Sequence, residues 1–201
     1  VVNQLLNMVF LLFNITTVGT AVMCSLYFGA KDEKSFIQVI GTSLLFNVGV
    51  GCLISLCLFL FGEQMLHWMD IRPDLMPDAR TYMHIVGGFG FFQAVSFTIS
   101  AVLRAANKPN YAMQVTLMIN ILNIFGNYSL IFGHFGFPAL GVQGAAISTS
   151  FCRGVSMALL FFMLFRRLVR QFPLAYFRPF PWDKLKRVLH IGLPSAAEQI
   201  C

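Results

Sequence analysis

Five apolar runs, each longer than about 18 residues and almost free of charge, dominate this chain and restrict it more than any other feature. A run of that length has no place on the surface of a water-soluble domain. In hydrocarbon it must satisfy every backbone N–H and C=O internally, which a helix does within one segment. Membrane strands are shorter and alternate apolar with polar residues; these runs do not alternate. Composition agrees, since only 11% of the 201 residues are charged, against roughly 25% in a typical soluble domain. The fold class is therefore all-α, a polytopic transmembrane helix bundle. The complete spans are expected at Val2–Phe28, Phe36–Phe61, Arg80–Leu103, Tyr111–Phe132 and Val142–Phe165, with the start of a sixth near His190.

Basic residues orient the spans. Lys31 and Lys34 follow span one, Arg104 and Lys108 follow span three, and Arg166, Arg167, Arg170, Arg178, Lys184, Lys186 and Arg187 follow span five. The alternate loops hold only Arg72 and Arg80. The positive-inside rule then puts the ends of spans one, three and five in the cytoplasm. Span one would start outside, with no signal sequence before it. The expectation is a fragment, with at least one span before Val1 and more after Cys201.

The loop "GEQMLHWMDIRPDLMPDA" is acidic and holds Trp68, Pro73 and Pro77, which suit an interfacial bend. The segment 166–190 is basic and aromatic, and Asp183 is placed to cap a short helix with Lys184, Lys186 and Arg187. Nucleic-acid binding is one reading of this charge. A connector on the inner leaflet, drawn to anionic headgroups, fits the flanking spans better. No nucleic-acid partner is expected. The five cysteines form no CxxC pair, and His67, His84, His134 and His190 keep no ligand spacing, so no metal site is expected.

Uncharged polar groups inside the spans carry the functional information. On span four, Asn120, Asn123 and Asn127 recur at i, i+3 and i+7 and share one helical face. On span one, Asn7 and Asn14 belong to a second stripe with Asn3. Ser148 and Thr149 of span five reach a comparable height if spans four and five pack antiparallel. Two readings are available. Such groups act as interhelical glue worth about 1–2 kcal/mol or less, or they line a wet interior. Two stripes beside a Ser-Thr pair favour the wet interior. Arg153 sits deep in span five and requires water, backbone carbonyls or a charged partner. Glycines at 41, 49, 51, 87, 88, 90, 141 and 144 permit close helix approach. The "GGFG" run follows no strand and is read as packing or gating. Paired acids, nucleophile–base pairs and metal ligands are absent at depth, so an enzyme is not expected.

The stretch "LRAANKPNYAMQVTLMINILNIFGNYSLIFG" and the following "GFPALGVQGAAISTSFCR" resemble the multidrug and toxic compound extrusion (MATE) transporters. The shared features are Leu103-Arg104, Asn123 with Asn127, Leu130 to Gly133, and Leu140 to Thr149. "IGLPSAAEQ" resembles the segment that opens the family's second half. The resemblance implies a twelve-span protein with two six-helix lobes: residues 1–165 as an amino-lobe bundle lacking its first span, 166–190 as a cytoplasmic linker, and 191–201 as the start of the second lobe. It implies that Asn123, Asn127 and Thr149 belong to a network for cation or proton, with Asn7, Asn14, Asn120 and Arg153 as cavity-lining candidates. Asn127 stands where many members carry an Asp, which removes a titratable group.

The function expected on that resemblance is secondary active efflux of drug-like or organic cationic compounds in exchange for Na+ or H+. No cofactor beyond the coupling ion is expected. The partners are a small amphipathic substrate and membrane lipids, the protein being a monomer in a cell membrane, bacterial and inner. A lipid-linked oligosaccharide flippase would want a more cationic cavity than Arg153 alone offers. A non-transporting scaffold leaves the polar stripes without a reason.

Overall fold

The structure, a computed structural model, describes residues 2–68, 76–133, 138–168 and 182–200; side chains at 2–12, 63, 65–68, 78, 167, 193 and 195–200 fall outside that description. Seven α-helices occupy these residues: α1 Val2–Gly29, α2 Glu33–Trp68, α3 Met76–Gly88, α4 Gly90–Ala105, α5 Pro109–Phe132, α6 Gly141–Arg167 and α7 Trp182–Ile200. Most of the outer bend (69–75), His134, and residues 169–181 of the connector lie outside the described residues.

Short turns fix how the helices join. At the end of α1, Lys31 takes φ 56° and the Asp32 N–H donates to the Tyr27 carbonyl (3.0 Å), closing a Schellman-type cap. Asp32 then starts α2, accepting from the Ser35 N–H at 3.1 Å. Hydrogen bonds from Ser35, helped by the charges of Lys184 and Lys34, hold the Asp32 carboxyl below the usual range. A carboxyl so lowered contributes its stabilisation at neutral pH and loses it as pH falls through the lowered value. After α4 the same cap recurs: Asn107 takes φ 57° and Lys108 N–H donates to Leu103 O at 2.9 Å. Asn tolerates this conformation better than most residues, and Pro109 opens α5 where its missing N–H costs nothing. Gly133, at φ 72°, ends α5, and Leu140 N–H returns to Leu130 O at 2.9 Å.

Span three of the sequence reading is two helices. α3 and α4 meet at Phe89 with a bend of 46°. The break loosens the end of the α3 hydrogen-bond ladder, which is costly in hydrocarbon. Ser150 of α6 addresses it by donating to the Ile85 carbonyl at 3.4 Å. Gly51 lets α2 lie against the Phe91 backbone, and Gly87 receives Leu58, so both flanks of the break are tightly held. The glycine-rich run thus places a bend rather than a phosphate loop.

Two apolar cores stack along the bundle. One gathers Cys24, Ile40, Val95, Ile99, Leu103 and Leu164 from α1, α2, α4 and α6. The other gathers Leu58, Met83, Val86 and Ala146 from α2, α3 and α6. By length and apolarity, three described helices suit a membrane crossing (33–62, 109–132 and 142–166), or four if the bent pair counts as one span. Five were expected from the sequence. α7 begins at Trp182, inside the segment read as connector, and continues through Pro194 without interruption.

The αL conformation at Lys31 costs an L-residue roughly 1–2 kcal/mol. Lys31→Gly is expected to raise thermal stability in detergent by about 1 kcal/mol, whereas Gly133→Ala, at φ 72° with Ala139 in the way, is expected to lower it.

Candidate functional site

The α5–α6 hairpin is held by two glycine notches. A Cβ on Gly126 would collide with the Ser148 hydroxyl, and one on Gly144 with the Leu130 carbonyl. Because the helices run antiparallel, the residue after Gly126 and the residue after Ser148 each lie about 100° further round and turn to the same side. They are Asn127 and Thr149. Asn123 lies one turn before Asn127 on that flank, and Asn127 Nδ2 donates to Asn123 Oδ1 at 3.0 Å.

This pair is half-buried, as is Thr149, while Asn120 at the edge of the stripe is exposed. The Asn127 Oδ1 and Ser148 Oγ atoms are both buried and make no hydrogen bond. Each of these atoms, an amide oxygen on α5 and a hydroxyl on α6, is left able to accept from a donor such as water. Thr116, lower on the flank, has its hydroxyl committed to the Ala112 carbonyl at 2.9 Å. Arg153 lies one turn beyond Thr149, half-buried and in electrostatic contact with Tyr82 of α3. The hairpin thus brings together Asn123, Asn127, Ser148 and Thr149, with Arg153 further along. Asn14 is half-buried on α1, and the Asn7 side chain lies outside the described residues.

A groove of about 470 Å³ opens elsewhere, lined by Phe89, Phe92, Ile147, Phe151 and Gly154. Ile147, Phe151 and Gly154 lie about 140–160° round α6 from Thr149. Its wall is apolar and aromatic, and its position behind the polar flank suits lipid contact rather than ion chemistry.

Sequence reasoning missed a second polar zone. Thr20 and Ser43 share a hydroxyl–hydroxyl hydrogen bond at 2.8 Å, and Asn47 of α2 donates to Thr98 of α4. Asn47, Thr42, Ser43, Thr20 and Thr98 are all fully buried. The hydroxyls of Thr20 and Thr98 also bond carbonyls four residues back, at 2.6 and 3.0 Å, and so form no amide stripe. The available signal was a lone Asn47 inside an uninterrupted apolar run. Among the described residues, no group of His, Cys, Asp or Glu could hold a metal ion.

Comparisons with known proteins add context to this geometry. The MatE family model matches residues 1–129. The uncharacterized transporter YisQ of Bacillus subtilis is 36% identical over 198 residues, which cover 98% of this chain and 44% of that protein. The probable multidrug resistance protein NorM of Thermotoga maritima is 29% identical over 198 residues, covering 98% and 42% respectively. An inward-facing conformation of a multidrug resistance MATE family transporter of the MOP superfamily superposes with a TM-score of 0.83 at 23% identity, over 94% of this chain and 42% of that one. An outward-facing conformation under the same description also gives 0.83, at 22% identity, over 96% and 42%. The chain spans less than half the length of these relatives.

The interior amide contact is open to a stability test. Asn47→Ala is expected to cost about 1–2 kcal/mol in unfolding from mild detergent. A double-mutant cycle with Thr98→Val is expected to return a coupling of about 0.6 kcal/mol.

Proposed function

The chain belongs to the MatE family, and from that premise we propose that it forms the amino-side bundle of a secondary active efflux transporter for drug-like compounds, driven by Na+ or H+. The family is one of transporters rather than enzymes. In this reading α1 completes a set of five spans with α2, the bent pair α3–α4, α5 and α6, and the hairpin flank faces a wet interior shared with the second lobe. The substrate is an amphipathic, drug-like or organic cationic compound, and the membrane is the bacterial inner membrane.

The observation that carries the proposal is the Asn123–Asn127 link, with the buried Asn127 oxygen on α5 and the buried Ser148 hydroxyl on the facing α6 each left without a hydrogen bond. A bound cation or hydronium supplies what those oxygens lack. Occupancy drives a change of state only through different affinities for the two states. The flank provides such a difference if helix motion opens or closes the Asn127–Ser148 space. With Asn at 127 the site binds without a titrating carboxylate of its own.

Efflux from energised inverted vesicles carrying the full-length protein, with Na+ and pH gradients imposed separately, tests this. Asn123→Ala at normal expression is expected to lower gradient-driven efflux at least tenfold; unchanged coupling would reduce the pair to packing. Asn127→Asp adds a titratable carboxyl to the flank, so coupling by the variant is expected to become more pH-dependent than in the parent. For topology, cysteines at Lys108 and Ala139, on the two ends of α5, are expected to label from opposite sides of the membrane.

A further inference from the structure

α7 follows the connector, so in a two-lobe transporter it would be counted with the second lobe; within this chain it packs on α1 and, less extensively, on α2. Gly19 of α1 and Gly192 of α7 face each other's helix so closely that a Cβ on Gly19 would strike the Val188 carbonyl, and one on Gly192 the Ile15 carbonyl. The spacing is reciprocal: 15 and 19 on one helix and 188 and 192 on the other are each one turn apart. Such backbone-on-backbone packing is the closest two helices adopt, and it also brings Cα–H groups near carbonyls. Leu185 and Val188 are buried alongside, at 5% and 1% exposure.

A polar clasp closes the cytoplasmic end. Lys184 Nζ donates to Tyr27 Oη at 2.8 Å and to Ser35 Oγ at 3.0 Å, and lies 4.1 Å from the centre of the Tyr27 ring. Asp32, which Ser35 caps against, adds attraction for the ammonium. One side chain therefore ties α7 to the end of α1 and to the first turn of α2. The pairing has no alternative register. A slide of one turn would bring Ile15 or Met23 on α1, or Val188 or Ala196 on α7, to the position that only glycine fits.

We propose that residues 182–192 of α7 are mechanically part of the amino-side bundle and stay docked on α1 while inward- and outward-facing states exchange, so that the relative motion of the two halves begins beyond Gly192. The proposal rests on the transporter reading above. The chain superposes equally well on an inward-facing and an outward-facing MATE structure, with a TM-score of 0.83 in each case.

The test uses the full-length protein with its native cysteines replaced, carrying Tyr27→Cys and Lys184→Cys. A short bis-methanethiosulfonate reagent bridges the pair. Bridged protein is expected to retain more than half the efflux of the same variant left unbridged; loss of efflux on bridging, restored by reductant, overturns the proposal. If the unbridged protein shows no gradient-driven efflux, the transport reading fails first, and a second measurement still decides the docking. Spin labels at Leu26 and His190, both exposed, are expected to give one distance distribution that stays fixed when Na+, pH or substrate is varied. A shifted or second distribution under any of these conditions overturns it.

Discussion

Helices in lipid gain little by hiding apolar surface from one another, because acyl chains are as apolar as leucine. Cohesion must come from contacts lipid cannot offer: backbones brought close together and polar groups answered across helices. Both recur here at each main joint. Gly126 and Gly144 hold α5 to α6, Gly51 and Gly87 hold α2 to the bent pair, and Gly19 and Gly192 hold α1 to α7. Between them run Thr20–Ser43, Asn47–Thr98 and Ser150–Ile85. The large apolar side chains left exposed on α5, among them Leu117, Ile124 and Phe125, are tolerable for the same reason. Their surroundings are lipid or other helices, not water.

The same constraint explains where polarity remains unanswered. In hydrocarbon, a buried oxygen without a donor is a standing cost, so one that persists beside its neighbours calls for a ligand or a water. Asn127 and Ser148 are such a place on the α5–α6 flank. Asn47 also leaves its Oδ1 without a donor, yet it is sealed among α1, α2 and α4 and already donates to Thr98. The Asn127 side chain is half-buried on the hairpin flank whereas Asn47 is fully buried, and that difference in residue exposure separates the candidate site from the structural one.

Much of the architecture was legible in the residues. Uncharged runs marked the helices, "LRAANKPN" marked a helix end and restart, and the i, i+3, i+7 asparagines marked a face. Other features were not legible, for specific reasons. The glycines at 87, 88 and 90 are equally compatible with tight packing and with a bend, and only the neighbours Leu58 and Phe91 decide. Gly19 and Gly192 lie far apart in the chain, so no local pattern pairs them. The hydroxyls of Thr20 and Thr98 satisfy themselves on their own helices, which leaves no periodic signature. A helix opening at Asp183 is legible in the sequence, but its continuity with the apolar start near His190 is not, because the basic face changes to an apolar run within one helix, α7 Trp182–Ile200.

The α5–α6 hairpin has a consequence for how the bundle is built. α5 buries only Ala112 and Val115 and rests mainly on α6, with a smaller contact to α4. During biosynthesis, two helices joined by an eight-residue connection and matched by their own notches can pair as soon as both have left the ribosome, before the rest of the bundle closes around them. The polar flank is then assembled within one contiguous stretch of polypeptide. Its geometry rests on contacts between these two helices more than on the fit of α5 to the rest of the bundle.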